Sequence, residues 1–222
     1  GSRKDLRYRD AMLHAEGVAQ AKSLRAVALE WNVEAVLCSP LRRALHTAAL
    51  AFGAEAQSDS WWGRIAEETP PPLFELSAIL REHPVDRPEN IGAPPQELRR
   101  WLRALAAPDP TNLDAFCGGR AWHWDPEAEW AVIQQLTVPH QRADAQFTLR
   151  SLQDDVIRQL PSFFAEVLQR KESVLAVVSH YGVVNRLLMA VLGVRPNLTN
   201  CGAVRLRLTR TASGWLSGPL ET

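Results

Sequence analysis

AVVSHYGVVNRLL, residues 176–188, runs a β-branched apolar stretch into Ser179-His180 and then opens a helix at a glycine. In an open α/β sheet, ligands bind outside the carboxyl ends of the strands, where the N–H groups of a following helix can meet an anion. His180 stands at such a junction and is the first candidate residue. Taken alone, it reads equally as a strand-end histidine satisfied by a neighbouring carbonyl.

A second junction of the same kind is VLCSPLRRALHTAA, residues 36–49. Val36 and Leu37, with Ala35 before them, and then Cys38 lead to Ser39-Pro40, a pair suited to an N-cap and first helical turn. Arg42 and Arg43 follow within that turn. The planar fork of arginine matches phosphate oxygens, and a helix start adds a positive field. Arg43 and Thr47 are four residues apart and share a face, while Arg42 is turned away by about 100°. One arginine can then face a pocket and the other water; the alternative is two solvated arginines at an arbitrary helix start. Two such junctions would deliver cationic and proton-transferring side chains to one edge of a parallel sheet.

These residues carry a resemblance. Leu13-His14-Ala15-Glu16-Gly17-Val18-Ala19-Gln20-Ala21 resembles the L-T-x-x-G-x-x-Q-A segment of the histidine phosphatase superfamily, also called phosphoglycerate mutase-like. The run from Ser39 to Ala48 is similar to its S-P-L-x-R-A-x-Q-T-A, with His46 where Gln is usual. Leu80-Arg81-Glu82 resembles the L-R-E element, and Val178-Ser179-His180-Tyr181-Gly182 the V-S/T-H-x-G element. The four matches occur in the family's order, between about Asp10 and Leu208.

One hallmark is absent. The family's nucleophile lies in an R-H-G/A tripeptide on a central strand, and the sequence holds no Arg-His pair. Leu13-His14-Ala15-Glu16 looks superficially like R-H-A-E, but Gly17, Gln20 and the spacing to Ser39 assign it to the later segment, so His14 is not expected to be the nucleophile. A parallel sheet without its central strand would leave buried donors and acceptors unpaired, at roughly 1–3 kcal/mol each. That sum exceeds a typical domain stability of about 5–15 kcal/mol. The expectation is an upstream strand that this sequence does not include.

The resemblance implies phosphoryl transfer through a phosphohistidine. Arg43 would bind phosphoryl oxygens, His180 would stabilise charge on the transferring group, and Glu82 would protonate the leaving oxygen and then activate water. Arg42, Ser39, Tyr181, Gly182 and His83 are expected at the substrate, His83 also as a second proton donor. No cofactor or metal is implied. Water as acceptor gives a phosphatase, and a second hydroxyl a mutase; the divergent middle region favours the phosphatase. A member that has lost the nucleophile would bind phosphate, or another protein, without turnover. A generic α/β domain with accidental motif matches would show no anion affinity dependent on Arg43 or His180.

Composition fits that picture. With 222 residues, 46% of them hydrophobic, the chain can bury a full core. Formal net charge is zero, so no global field draws nucleic acid or a membrane surface. The expected partners are a small phosphorylated substrate or phosphoprotein and inorganic phosphate, with oligomeric state left open. Cys38, Cys117 and Cys201 lack paired spacing, and the odd count favours a reducing compartment, read as cytoplasmic. No run reaches the roughly eighteen apolar residues of a membrane span, and no signal-peptide pattern opens the chain.

The fold class expected is α/β: a three-layer α-β-α domain over residues 1–222 with a mainly parallel sheet, carrying a Pro- and Trp-rich insertion at residues 57–148 above its carboxyl edge. Periodicity predicts a helix over 17–31 with Ala19, Leu24, Ala28 and Leu29 inward, a turn at Asn32, a strand over 33–38 and a helix from Pro40 to about Phe52. Short helix 96–106 follows, then an amphipathic helix from about 149 to 168 broken or kinked at Pro161, a strand over 173–179, a helix after Gly182, and a last strand over 203–209. Asp86 and Arg87 read as substrate loop or solvated loop. Cys117, His123 and His140 lack the paired spacing of a zinc site. Trp61, Trp62, Trp122, Trp124 and Trp130 line a cleft or close a core beneath long loops. The sequon at Asn197 is taken as incidental.

Overall fold

Ala35–Cys38 (β1) is buried along its whole length, as a continuous apolar run between two strands demands. The computed structural model describes residues 9–52, 72–82, 87–94, 96–98, 100–101, 158, 160–193, 195, 197–211 and 214–217. Among them β1 is the middle of a three-stranded parallel sheet, flanked by Leu73–Leu76 (β2) and Leu175–Val178 (β3). The class is α/β with a parallel sheet, as read from the sequence.

Helices cover both faces of β1. Val36 and Cys38 pack with Ala44, Leu45 and Ala48 of Arg42–Phe52 (α2). Leu37, pointing the other way, meets Phe163 of Leu160–Val167 (α3) and Val183 and Leu187 of Tyr181–Leu192 (α4). This is the period-two alternation of a strand, both sides of it dry.

Ala15–Glu30 (α1) packs against α2 through Gly17, Ala21 and Ala28. Of the four inward positions expected, only Ala28 is fully buried, and Ala19 is exposed. Gly17 also lets Leu13, just ahead of the helix, fold back on it: a Cβ there would lie 3.2 Å from Leu13 Cδ2. His14 caps α1, its Nδ1 accepting from Gly17 N–H at 3.3 Å. Asn32 takes φ 50° and turns the chain into β1.

Two expectations shift. Residues 73–76, within the stretch read as insertion, are β2 of the central sheet. Pro161, where a break or kink is expected, lies in the first turn of α3, and most of the stretch before it lies outside the described residues. The last strand begins at Leu208 rather than at 203: Leu208–Thr211 (β4) pairs antiparallel with Gly214–Ser217 (β5) in a separate two-stranded sheet. Before it the chain turns at Cys201, φ 56°, and Arg205, a single β-bridge residue, lies 5.8 Å from the Trp31 ring centre. Residues 96–98 and 100–101 are helical as expected. Trp61, Trp62, His83, Asp86, Cys117, Trp122, His123, Trp124, Trp130, His140 and the start of the 149–168 helix lie outside the described residues.

Candidate active site

Register brings the two junctions side by side. Cys38 is level with Leu76 on one flank and Val178 on the other, so Ser39, Ser77 and Ser179 leave the sheet together. The ladder runs one step past the strands: Ser39 N–H donates to Val178 O and Ser77 N–H to Cys38 O, each at 2.9 Å. The Ser179 hydroxyl donates to Leu80 O at 2.6 Å, pinning the turn that carries Arg81 and Glu82 against the end of β3.

His180 follows as the N-cap of α4. It is 8% exposed, and its Nε2 lies 2.8 Å from Ser39 Oγ across 141 residues of sequence. Gly182 in the first turn of α4 faces Glu82: a Cβ there would come within 2.7 Å of Glu82 Oε1. Glycine leaves room for the carboxylate to lie over the helix start.

Arg43 completes the cluster. Its Nη1 donates to Glu89 O at 2.6 Å and its Nη2 to Asn90 Oδ1 at 2.9 Å. Burial pulls the Arg43 guanidinium below its ordinary value, while the carboxylates of Glu82, Asp10 and Glu89 oppose the shift. Arg81, 6% exposed, grips Asn90 O with Nε and Nη2 at 3.2 and 3.0 Å. Burial lowers Arg81 to about 10, which still leaves it a cation at neutral pH. Asn90 thus ties the buried Arg81 and the half-buried Arg43 through one residue.

Arg42 is placed elsewhere. Its Nε donates to Asp10 O at 3.1 Å and its Nη1 to Glu97 Oε1 at 3.0 Å. Asp10, wholly buried, accepts Arg42 N–H on Oδ1 and Ala93 N–H on Oδ2, both at 2.8 Å. Burial raises the Asp10 pKa, and those two N–H bonds oppose the rise. The start of α2, expected to offer its field to an anion, is therefore met by the chain's own carboxylate. Ser39, expected at the substrate, is wholly buried against His180 and Leu41 N–H. Tyr181 is 60% exposed. His83 lies outside the described residues.

The structure thus brings together Arg43, Glu82, His180, Ser39 and Gly182, and sets Arg42 apart. Asp10 and Asn90 escaped the sequence reading, and Arg81 entered it only as part of Leu80-Arg81-Glu82, without a role. Asn90 sits in the 3-10 turn Pro88–Asn90, which looked like any proline loop. Cys38, wholly buried with its thiol pushed up by burial, is no nucleophile. Among the described residues no group of three or more His, Cys, Asp or Glu is placed to hold a metal, and no helix is long and apolar enough to cross a membrane.

Residues 4–67 match the family model of the histidine phosphatase superfamily (branch 1), which bears out the superfamily read from the motifs. That match covers the segments around Gly17 and Ser39-Pro40; Leu80-Arg81-Glu82 and Ser179-His180 lie beyond it. No curated protein matches the chain.

Proposed function

We propose that this chain of the histidine phosphatase superfamily is a phosphomonoesterase working through a phosphohistidine, on a three-layer α-β-α frame with an insertion in the part of residues 57–148 that follows β2. The observation that carries the reading is the buried contact of His180 with Ser39, which joins the motif beyond the family match to a motif within it. The position of Glu82 over Gly182 supports it further.

Arg43, held at two of its nitrogens, presents a fixed cation to phosphoryl oxygens. His180 adds preorganised charge stabilisation at the start of α4. Glu82 gives its proton to the leaving oxygen as the phosphorus–oxygen bond breaks. As a carboxylate it then takes a proton from the water that splits the phosphorus–nitrogen bond. The nucleophilic histidine would come from a strand that this sequence does not contain. The substrate is a small phosphorylated molecule or a phosphoprotein in the cytoplasm; a second hydroxyl in place of water would make the same pocket a mutase.

The same cluster serves a second reading, a phosphate-binding member without turnover, since Arg43 and His180 need no nucleophile to hold an anion. Phosphate release from an aryl phosphate by the full product of the gene, upstream coding sequence included, with His180→Ala as control, separates the two. Turnover lost in the variant supports the phosphatase. No turnover, with inorganic phosphate binding that depends on His180, supports the binding member. Neither turnover nor binding overturns both.

A further inference from the structure

We infer that Ser39 is a positioning residue: its buried hydroxyl donates to His180 Nε2 and so holds the imidazole as its Nδ1–H tautomer. A hydroxyl has one hydrogen and two lone pairs. One lone pair of Ser39 Oγ receives Leu41 N–H at 3.3 Å. Among the described residues, the acceptor within reach of the hydrogen is His180 Nε2, at 2.8 Å. Were the neutral ring to carry its proton on Nε2, the serine would have to accept there. Its own hydrogen would then be left without an acceptor in a site of zero exposure, a worse arrangement than donation.

A second observation comes from the helix caps. His14 and His180 occupy the same N-cap position with the same extended backbone, at φ −82° and −121°. His14 Nδ1 accepts a first-turn N–H, as an unprotonated nitrogen can. His180 makes no side-chain cap bond. A protonated Nδ1 has no lone pair to offer a helix start, so the missing cap and the serine contact assign the same tautomer. Ser39 itself is fixed by the step from β1 into α2, where its N–H donates to Val178 O. The serine thereby sets the ring against the sheet that also carries Arg43. The tautomer assignment does not rest on the phosphate-pocket reading.

Long-range proton–nitrogen NMR of the full chain at about pH 8, where an ordinary imidazole is neutral, tests the inference. The His180 signals are identified by their loss in His180→Gln. The expected spectrum shows His180 as Nδ1–H, and Ser39→Ala turns that single form into a mixture with Nε2–H. Should Ser39→Ala fail to fold, Ser39→Cys, with a weak S–H donor of similar size, shows the same shift in smaller measure. An Nε2–H ring in the parent chain, or a tautomer unmoved by loss of the hydroxyl, overturns the inference. Calorimetry with inorganic phosphate on the same samples keeps the two ideas apart: no binding by the parent chain defeats the pocket reading and leaves the tautomer result standing.

Discussion

Arg42 and Arg43 are neighbours with opposite tasks, and the difference follows from the helix they begin. About 100° of rotation sends Arg42 to Asp10 and Glu97 and sends Arg43 to Glu89 and Asn90, beside Glu82. Arg43→Ala is expected to weaken inorganic phosphate binding at least about tenfold, since a hydrogen bond to a charged group contributes roughly 1.5–3 kcal/mol. Arg43→Lys should recover little of it, because an ammonium cannot hold Glu89 O and Asn90 Oδ1 with two separate nitrogens. Unchanged affinity in calorimetry would remove Arg43 from the pocket. His46, where the family has Gln, gives a pH test. Its Nδ1 is buried without a hydrogen-bond partner, the Trp101 ring stands edge-on at 6.0 Å, and burial holds the imidazole below its ordinary 6.5. The folded state therefore resists a proton that the unfolded chain accepts. Stability is complete above about pH 6.5 and falls as pH drops from there towards the lowered folded value. His46→Gln should flatten that fall in urea midpoints taken on either side of the window; parallel curves would show that His46 does not contribute to it. At this scale the sequence was informative where chemistry followed directly from a strand end, as for His180 and Arg43. Asp10 and Asn90 were silent, because what makes them matter is burial against residues 83 and 47 positions away.

Elements show where local pattern stops being enough. β1 was legible since its four residues are all apolar and all buried. β2 was not: Leu73–Leu76 carries Glu75 inside it and follows a proline run. That charge is tolerated because Arg170 meets both Glu75 oxygens at 2.8 Å, from 95 residues away. A bidentate pair of this kind can hold a carboxylate in a strand, but no window of sequence contains it. The same holds for Asp10, which joins the chain ahead of α1 to the start of α2 and to Ala93. Asp10→Ala would strand the N–H groups of Arg42 and Ala93, each worth roughly 1–3 kcal/mol. A loss of about 2–5 kcal/mol in urea unfolding is expected, with the far-ultraviolet spectrum of the folded state preserved; a change under about 1 kcal/mol would mean that water replaces the carboxylate. The end of α4 offers a cleaner case. Gly193 caps it at φ 69° with nothing within 4 Å of a Cβ, so Gly193→Ala adds backbone strain without a clash. The expected cost is about 1 kcal/mol, and a neutral substitution would show that the helix end rearranges.

Over the whole molecule, stability should follow the distance from β1. That strand is hydrogen-bonded on both edges and covered on both faces, whereas β3 is only partly buried, with Val177 38% exposed. The β4–β5 pair stands, among the described residues, as a two-stranded sheet, an arrangement that is marginal by itself in water. The junction motifs made the site's place readable from sequence, because parallel strands put their carboxyl ends at one edge whatever their order. The order β2-β1-β3 was not readable, since residues 73–76 and 175–178 carry no mark of which neighbour each takes. Native-state hydrogen exchange checks this gradient. Amides of Val36, Leu37 and Cys38 should exchange only through global opening, and those of residues 208–217 by a local opening of far lower free energy. Inorganic phosphate at saturation stabilises the state that binds it. It should therefore slow exchange around Ser39 and residues 180–183 and leave the hairpin unchanged. Equal slowing throughout would mean that phosphate acts as a stabilising salt on the whole fold, and protection confined to the hairpin would move the anion site away from the strand ends of the central sheet.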